Sequence, residues 1–444
     1  MQYLPNILFT LVLIAGIGYF ALNIRKLIRN IKIGRPAHTS GHKGKRWANV
    51  VRIALGQSKM VVRPVSGLLH IIVYVGFIII NIEVLEIVVD GIFGTHRIFA
   101  GMGAPYDYLI ASFEILALLV FMGVTLFWAR RNILKLKRFW AGEMTSWPKN
   151  DANYILYFEM ILMLLFITMN TADLQLQHLG AAHYTRAGMF PVSGTLLPLV
   201  SSLSESTLII IERSAWWLHI IGILVFLNYL YFSKHLHILL AFPNVYYGKV
   251  VPKGKFQNIE AVTKEVKLMM GPNADPFAAP PEGSPAPAKF GASDVMDLSQ
   301  IQLLNAYTCT ECGRCTSECP ANMTGKKLSP RKIMMDTRDR LEEVGKNMTK
   351  NRTFVNDGKQ LLGNYISKEE LWACTTCNAC VQACPVSIDP LSIIMDMRRY
   401  LVMEQSAAPA QLNTAMANIE NNAAPWPYNQ QDRLNWNTGL NGTK

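Results

Sequence analysis

The sequence predicts a mostly α-helical protein: a five-helix transmembrane bundle followed by a smaller helical domain on the cytoplasmic side. Three observations carry that expectation. Five apolar runs in the first half are long enough to cross a bilayer, which takes about 20 residues. Basic residues crowd the loops at one end of these runs and are sparse at the other. All eight cysteines of the 444-residue chain lie in two copies of one spacing, confined to the last third.

The apolar runs fall near Ile7–Leu27, Gly67–Val89, Tyr108–Trp128, Tyr154–Asn170 and Ala215–Ser233. No cleavage pattern follows the first, and its basic end is C-terminal, so it reads as a retained helix. The fourth is short for a span, and the polar residues after Asn170 mark its arrival at the far surface. Between the first two runs stand Arg25, Lys26, Arg29, Lys32, Arg35, Lys43, Lys45, Arg46, Arg52, Lys59 and Arg63. Arg130, Arg131, Lys135, Lys137 and Arg138 follow the third, whereas the opposite loops offer little beyond Arg97, Arg186 and Arg213. The positive-inside rule then puts the N-terminus outside a bacterial inner membrane and the C-terminus in the cytoplasm. The same bias explains much of the net charge of +12. No basic stripe with interleaved aromatics stands apart from the membrane loops, which argues against nucleic acid as a partner.

The cysteines read Cys309-x2-Cys312-x2-Cys315-x3-Cys319-Pro320 and Cys374-x2-Cys377-x2-Cys380-x3-Cys384-Pro385. A [4Fe–4S] cluster takes four thiolates, and at this spacing the fourth usually ligates the cluster of the other run. The pattern therefore assigns one cluster to Cys309, Cys312, Cys315 and Cys384, and a second to Cys374, Cys377, Cys380 and Cys319. Zinc needs no third cysteine two residues on followed by Cys-Pro, and disulfides at this spacing would be strained. Thiolates holding oxygen-sensitive clusters belong in a reducing compartment, which agrees with the charge-derived orientation.

Four regions follow: a membrane domain over 1–245, a membrane-proximal segment and linker over 246–297, a di-cluster domain over 298–405, and a polar tail over 406–444. The linker part, from Gly271 to about Ala292, is rich in Pro, Ala and Gly and reads as semi-rigid. A helix is expected near Glu260–Met270. Between the cysteine runs, Ser329-Pro330 opens a helical pattern over Arg331–Val344, with Ser as N-cap and Pro in the first turn. Ile393–Leu401 reads similarly, so the cluster domain is expected to be an α-helical ferredoxin.

Ionisable side chains within a bilayer are costly and usually functional. His70 lies on the second run, and His219 and His237 are placed on the fifth. The last two are eighteen residues apart, about five helical turns, so they share one face of a continuous helix, while His235 points nearly the other way. His70 and His237 both lie near the cytoplasmic end and can sandwich a b-type haem between two helices. The plainer alternative makes His235 and His237 interfacial cations and His70 a satisfied buried histidine. A second haem would use His219, but its expected mate on the second run is replaced by Ile80 and Asn81, leaving only His178 and His183. One haem is therefore expected, with His219 and His235 in the vicinity of haem or quinone. Glu83, Glu86 and Glu159 are the acidic residues within the runs, read as hydrogen-bonded carboxylates or proton relays.

Two family resemblances add to this. Trp216-Trp217-Leu218-His219 and Ser233-Lys234-His235-Leu236-His237 resemble the two ends of the fifth helix in the cytochrome b (gamma) subunit of respiratory nitrate reductase. That resemblance implies bis-histidine haem on the second and fifth helices and a quinone beside it. The second half resembles the iron–sulfur part of the heterodisulfide reductase large subunit and its bacterial Fe–S oxidoreductase relatives. The residues that carry it are Gly325–Lys332, Leu371–Cys377, Met397–Leu401, Asn418–Asn421, Pro425–Pro427 and Arg433–Trp436. It implies electron transfer from electron-transfer flavoprotein to menaquinone, or sulfur metabolism. In fused relatives this tail leads into cysteine-rich CCG repeats, and here no cysteine follows Cys384. The resemblance thus implies a separate CCG-domain partner docking on the tail. Three functions compete: a subunit passing electrons from a cytoplasmic donor to menaquinone or ubiquinone, a quinol-oxidising subunit feeding a heterodisulfide or sulfur reductase, and a non-catalytic relay or anchor. Identifying the partner polypeptides and testing haem reoxidation by a quinone analogue discriminates them.

Overall fold

The computed structural model describes residues 3–37, 41–252, 254–271 and 289–438. Among the described residues, five helices are long and apolar enough to cross a membrane: Leu4–Ile31, Pro64–Phe93, Ala104–Asn132, Ser146–Leu179 and Glu205–Phe232. They are called the first to fifth spans below. Local chemistry sets their ends. The second begins with Pro64 in its first turn, where no backbone donor is needed, and stops at Gly94 in the left-handed region (φ 72°). The fifth is capped by Ser204, whose hydroxyl accepts from the Thr207 amide. The fourth packs along the fifth, the third lies between the second and fourth, and the first covers the second and fifth.

Two expectations about the spans need correction. The fourth is not short: it continues through Asn170 to Leu179, because Asn170, Asp173 and Gln177 are buried. Their polar groups meet Arg97 and one another rather than water. Nor does the fifth span run on to His237. Its α-helix ends at Tyr229, a tighter turn covers Leu230–Phe232, and Ser233 is extended (φ −109°, ψ 149°). A second tight turn, Lys234–Leu236, then leads into a separate helix, His237–Tyr247. The face-sharing argument for His219 and His237 therefore has no continuous helix to act on.

The cluster domain consists mainly of helices Gln300–Thr308, Pro330–Asn351, Lys368–Ala373 and Pro390–Met403. Ser329 caps the longest with Pro330 in its first turn, as the sequence predicts. Reciprocal caps start two others, Ser299 with Gln302 and Ser367 with Glu370. Helix Glu260–Met269 is present, and residues 272–288 of the Pro/Ala/Gly stretch lie outside the described residues. Residues 289–297, grouped above with the membrane-proximal segment and linker, pack with the cluster domain. Ala292 and Val295 are fully buried in its core, and Asp294 accepts two hydrogen bonds from the Arg340 Nε and Nη2 groups.

The cluster domain sits directly on one end of the bundle. Arg35 pairs with Ser299 through a parallel bridge, its amide donating to the Leu298 carbonyl at 2.8 Å. Gly34 permits that approach, since a Cβ there would lie 2.7 Å from the Leu298 carbonyl oxygen. One apolar core runs across the junction, joining Leu27, Phe226, Leu230 and Leu236 to Leu298, Leu303 and Ala306. The tail carries a helix, Ala410–Asn422, with no buried residue.

Candidate metal centres

Both cysteine runs adopt the same local fold. In each, a short helix ends at the first cysteine, the chain wraps over the next four residues, and a one-turn helix carries the third cysteine. The wrap uses left-handed residues at matching places: Glu311 and Gly313 in the first run, Thr376 and Asn378 in the second. Such a winding turns backbone N–H groups inward. The Thr376 amide points at the Cys374 sulfur (3.4 Å), and the Ile388 amide at that of Cys384 (3.3 Å).

One cavity is lined by Cys309, Cys312, Cys315 and Cys384, three residues of the first run and the last of the second. On the other side Cys319 lies close enough to Cys374 and Cys380 to act on their thiols. Among the described residues, no three His, Cys, Asp or Glu side chains gather at the spacing of a single ion. Burial pushes the Cys309 thiol up to about 12, with Glu311 adding to it, and that of Cys384 to about 11, where Cys312 adds to it and Lys59 opposes it. Cys380 is likewise pushed to about 12, by burial and then by Cys374. Thiols so placed stay protonated on their own, and iron bound there would supply the charge that makes them thiolates. The two runs differ in access: Cys377 is exposed, whereas Cys309, Cys319, Cys380 and Cys384 are buried.

Several residues with no distinctive spacing complete this region. The Lys59 ammonium, from the first basic loop, donates to the Cys384 carbonyl and the Ser387 hydroxyl, both at 3.1 Å. Arg314 donates to the Lys59 carbonyl at 3.0 Å. Arg331, 1 % exposed, donates to Glu143 (2.7 Å) and to the Arg138 carbonyl (2.6 Å), tying the loop between the third and fourth spans to the first run. Arg398 donates to the Leu371 and Cys374 carbonyls beneath the second. Glu311 pairs with Lys234 and, at 2.7 Å, with Arg338. Burial opposes its charge, but Lys234 and Arg338 outweigh that and hold the carboxyl below its ordinary range. In sequence Lys59 is indistinguishable from the other cations of the first basic loop, and Arg314 and Arg338 from other cations of the cluster domain.

Lys234 leads directly to the histidines. Its carbonyl lies 3.1 Å from His237 Nδ1, an arrangement that leaves Nε2 free to ligate. The rings of His70 and His237 stand 6.5 Å apart, centre to centre, tilted by 44°. His70 Nδ1 is buried without a hydrogen-bond partner. His235 turns away to the fourth span, its Nε2 3.6 Å from the Glu159 carboxylate. His219 is 2 % exposed, with Nδ1 unpartnered and its ring 6.0 Å from Phe166. His183 packs instead on His96 and Tyr184 at the far end, and His178 is exposed.

The arrangement defines a class, a protein with five membrane-length helices bearing a two-run cysteine domain at one end, and the comparisons agree. Residues 308–388 match the 4Fe-4S dicluster domain family. The chain is 28 % identical, over 97 % of its length, to the "Probable iron-sulfur-binding oxidoreductase FadF" of Bacillus subtilis, covering 60 % of that protein. It is 24 % identical, over 86 % of its length, to "EtfAB:quinone oxidoreductase" of Syntrophomonas wolfei, covering 52 %. Over 27 % of its length it is 31 % identical to one polypeptide of the "Ferredoxin/F(420)H(2)-dependent CoB-CoM heterodisulfide reductase" of Methanosarcina acetivorans, covering 60 % of that polypeptide. The chain thus spans little more than half the length of the first two relatives. No solved structure gives a significant match. The chain thus carries a 4Fe-4S dicluster domain, and its similarity extends to a FadF-like iron–sulfur oxidoreductase, an EtfAB:quinone oxidoreductase and heterodisulfide reductase subunits.

Proposed function

We propose that this chain is a membrane-bound electron-transfer subunit, passing electrons between a cytoplasmic redox partner and the quinone pool through two [4Fe–4S] clusters and one haem b. Cys309, Cys312, Cys315 and Cys384 ligate the cluster nearer the membrane, and Cys374, Cys377, Cys380 and Cys319 the one nearer the surface. His70 and His237 would hold the haem iron between the second span and the helix His237–Tyr247. The observation that carries the reading is one of continuity. The first cysteine run reaches the membrane end of the bundle through Glu311, Lys234 and His237, while the second exposes Cys377 to a partner. The His70 and His237 rings, 6.5 Å apart centre to centre, leave room between them for one iron, and the Lys234 carbonyl at His237 Nδ1 leaves its Nε2 free to ligate, which supports the haem.

The residues of the chain have definable parts in this. When bound, the clusters and haem supply one-electron redox chemistry. Lys59, Arg138 and Arg314 around the first run favour the more negative, reduced state of the adjacent centre, and inward amides at the sulfurs act in the same direction. The Lys234 carbonyl orients His237, and the shared apolar core keeps water from the junction. The partner is electron-transfer flavoprotein or a CCG-domain protein on the tail, whose unburied helix exposes Met416 and Ile419, followed by Trp426. The orientation is N-terminus outside and cluster domain cytoplasmic, in a bacterial inner membrane. The match to heterodisulfide reductase subunits favours a second reading, in which quinol oxidation feeds a heterodisulfide or sulfur reductase.

The test is to reduce the purified chain with a low-potential donor and follow the haem spectrum with and without a menaquinone analogue. Fast haem reduction, followed by reoxidation on adding quinone, is expected. Clusters that stay reduced beside an oxidised haem, in a complex holding all partners, reject the reading.

A further inference from the structure

The end of the bundle remote from the cluster domain holds a buried polar network that electron transfer does not use. Its carboxylates are capped one by one. Asp173 accepts from the Arg97 Nε at 2.7 Å and from its Nη2 at 2.5 Å, with His96 Nε2 at 3.2 Å. Glu114 accepts from the Val192 and Ser193 amides, at 2.8 and 3.1 Å, and from the Ser193 hydroxyl. Glu86 accepts from the Phe99 amide (2.9 Å) and the Tyr106 hydroxyl (2.8 Å), and Arg97 in turn donates to Tyr106.

Glu83 is the exception. It is 3 % exposed and faces Arg97, Glu86, Glu114 and Asp173; one oxygen of Glu83 and Oδ1 of Asp173 are both buried without a hydrogen-bond partner, but Asp173 has Arg97 on its Oδ2, whereas no cation pairs with Glu83 among the described residues. The only cation among those four groups, Arg97, is committed to Asp173, Tyr106 and Asn170. A carboxylate left unpaired in apolar surroundings takes up a proton rather than bear the desolvation cost. Glu83 stands ten residues inside Phe93, about 15 Å from the far end of its helix. Glu86 is the next carboxyl outward on the same face, directly beneath the Arg97–Phe99 loop.

We propose that Glu83 is the proton-carrying acid of the membrane half, exchanging its proton with the far surface by way of Glu86, and that it serves the quinone of the proposed function. Reduction of a quinone adds two electrons, delivered by the reduced chain, and two protons, so that each carbonyl oxygen becomes a hydroxyl. Glu83 provides such a proton and is reloaded from the far side. Quinol oxidation runs the same route outward. Arg97, permanently protonated, releases no proton and so cannot relay one; it holds Tyr106 and Asp173 in place and balances the Asp173 charge.

This inference rests on the quinone reading, and the experiment separates the two. The full-length chain is reconstituted into vesicles, reduced with a low-potential donor and mixed with a menaquinone analogue. Redox-difference infrared spectra and pH dyes on either side of the bilayer are recorded. Wild type is expected to show a protonated-carboxyl band and a pH change on the side opposite the cluster domain. Glu83→Gln, isosteric with the neutral acid, should lose the band and slow quinone turnover about 100-fold, with haem and cluster spectra unchanged, and Glu83→Asp should restore part of both. Glu86→Gln should keep the band but slow its reloading. If wild type reacts with no quinone, the functional reading fails. If wild type turns over and Glu83→Gln matches it, or the pH change appears on the cluster-domain side, this inference alone is overturned.

Discussion

Replacing Glu311 with alanine tests the junction between the cluster domain and the bundle, on which the proposed electron path depends. Glu311 is 3 % exposed and bridges Lys234, beside the histidines, to Arg338 on the long helix of the cluster domain. Removing one member of a buried ion pair costs about 3–5 kcal/mol, because the other charge stays buried. Here Lys234 keeps the Pro148 carbonyl at 2.5 Å and the Asp151 carboxylate at 3.9 Å, while Arg338 keeps Asp339 at 3.2 Å. The low end therefore applies, about 3 kcal/mol, or roughly a 100-fold rise in the population of chains whose cluster domain has lifted from the bundle. Limited proteolysis of the junction reads that population when cleavage is slow relative to reclosing. Iron content on the same samples separates undocking from loss of a cluster. Glu311→Gln keeps an acceptor and should cost about 1–2 kcal/mol. The double variant Glu311→Leu/Lys234→Met should be less damaged than Glu311→Ala, since it leaves no orphaned ammonium. The folded carboxyl lies below its ordinary value, so its contribution is complete above that value, about pH 4, and fades as pH falls through the lower folded value. A cost under 1 kcal/mol, or a double variant as unstable as Glu311→Ala, refutes the reasoning.

Other outcomes follow from the same geometry. Cys384→Ser should damage the centre of the first run and Cys319→Ser that of the second, as read by iron, acid-labile sulfide and electron paramagnetic resonance; zinc at these cysteines would sink the cluster assignment. His70→Ala and His237→Ala should each abolish the reduced α-band of the proposed haem b, whereas replacing His235, which faces Glu159, with alanine should leave most of it. Gly345→Val should destabilise docking by about 1–3 kcal/mol, because a side chain there drives into Asn30 of the first span, and proteolysis at the junction would show it.

Composition and spacing alone made much of this protein legible. Five apolar runs announce five membrane-length helices, because a bilayer cannot accept backbone that does not pair with itself. The repeat of Cys-x2-Cys-x2-Cys-x3-Cys-Pro announces the two cysteine loops, because local winding follows local sequence, down to the left-handed positions at Glu311/Gly313 and Thr376/Asn378. Where contacts between distant segments decide, the sequence was silent or misleading. The fourth span outran its apolar run because Asp173 and Gln177 found buried partners, and hydropathy does not count partners. The fifth span broke at Ser233, which a period of 3.6 residues assumed continuous could not anticipate. His237 nonetheless meets His70, brought there by the break rather than by helical register. Glu83, Glu86 and Glu159 look alike in sequence; only packing leaves Glu83 without a partner while capping Glu86 and aiming Glu159 at His235. Spacing along the chain sets local geometry, whereas the partner that a buried charge finds depends on segments far away along the chain, and that only the tertiary structure decides.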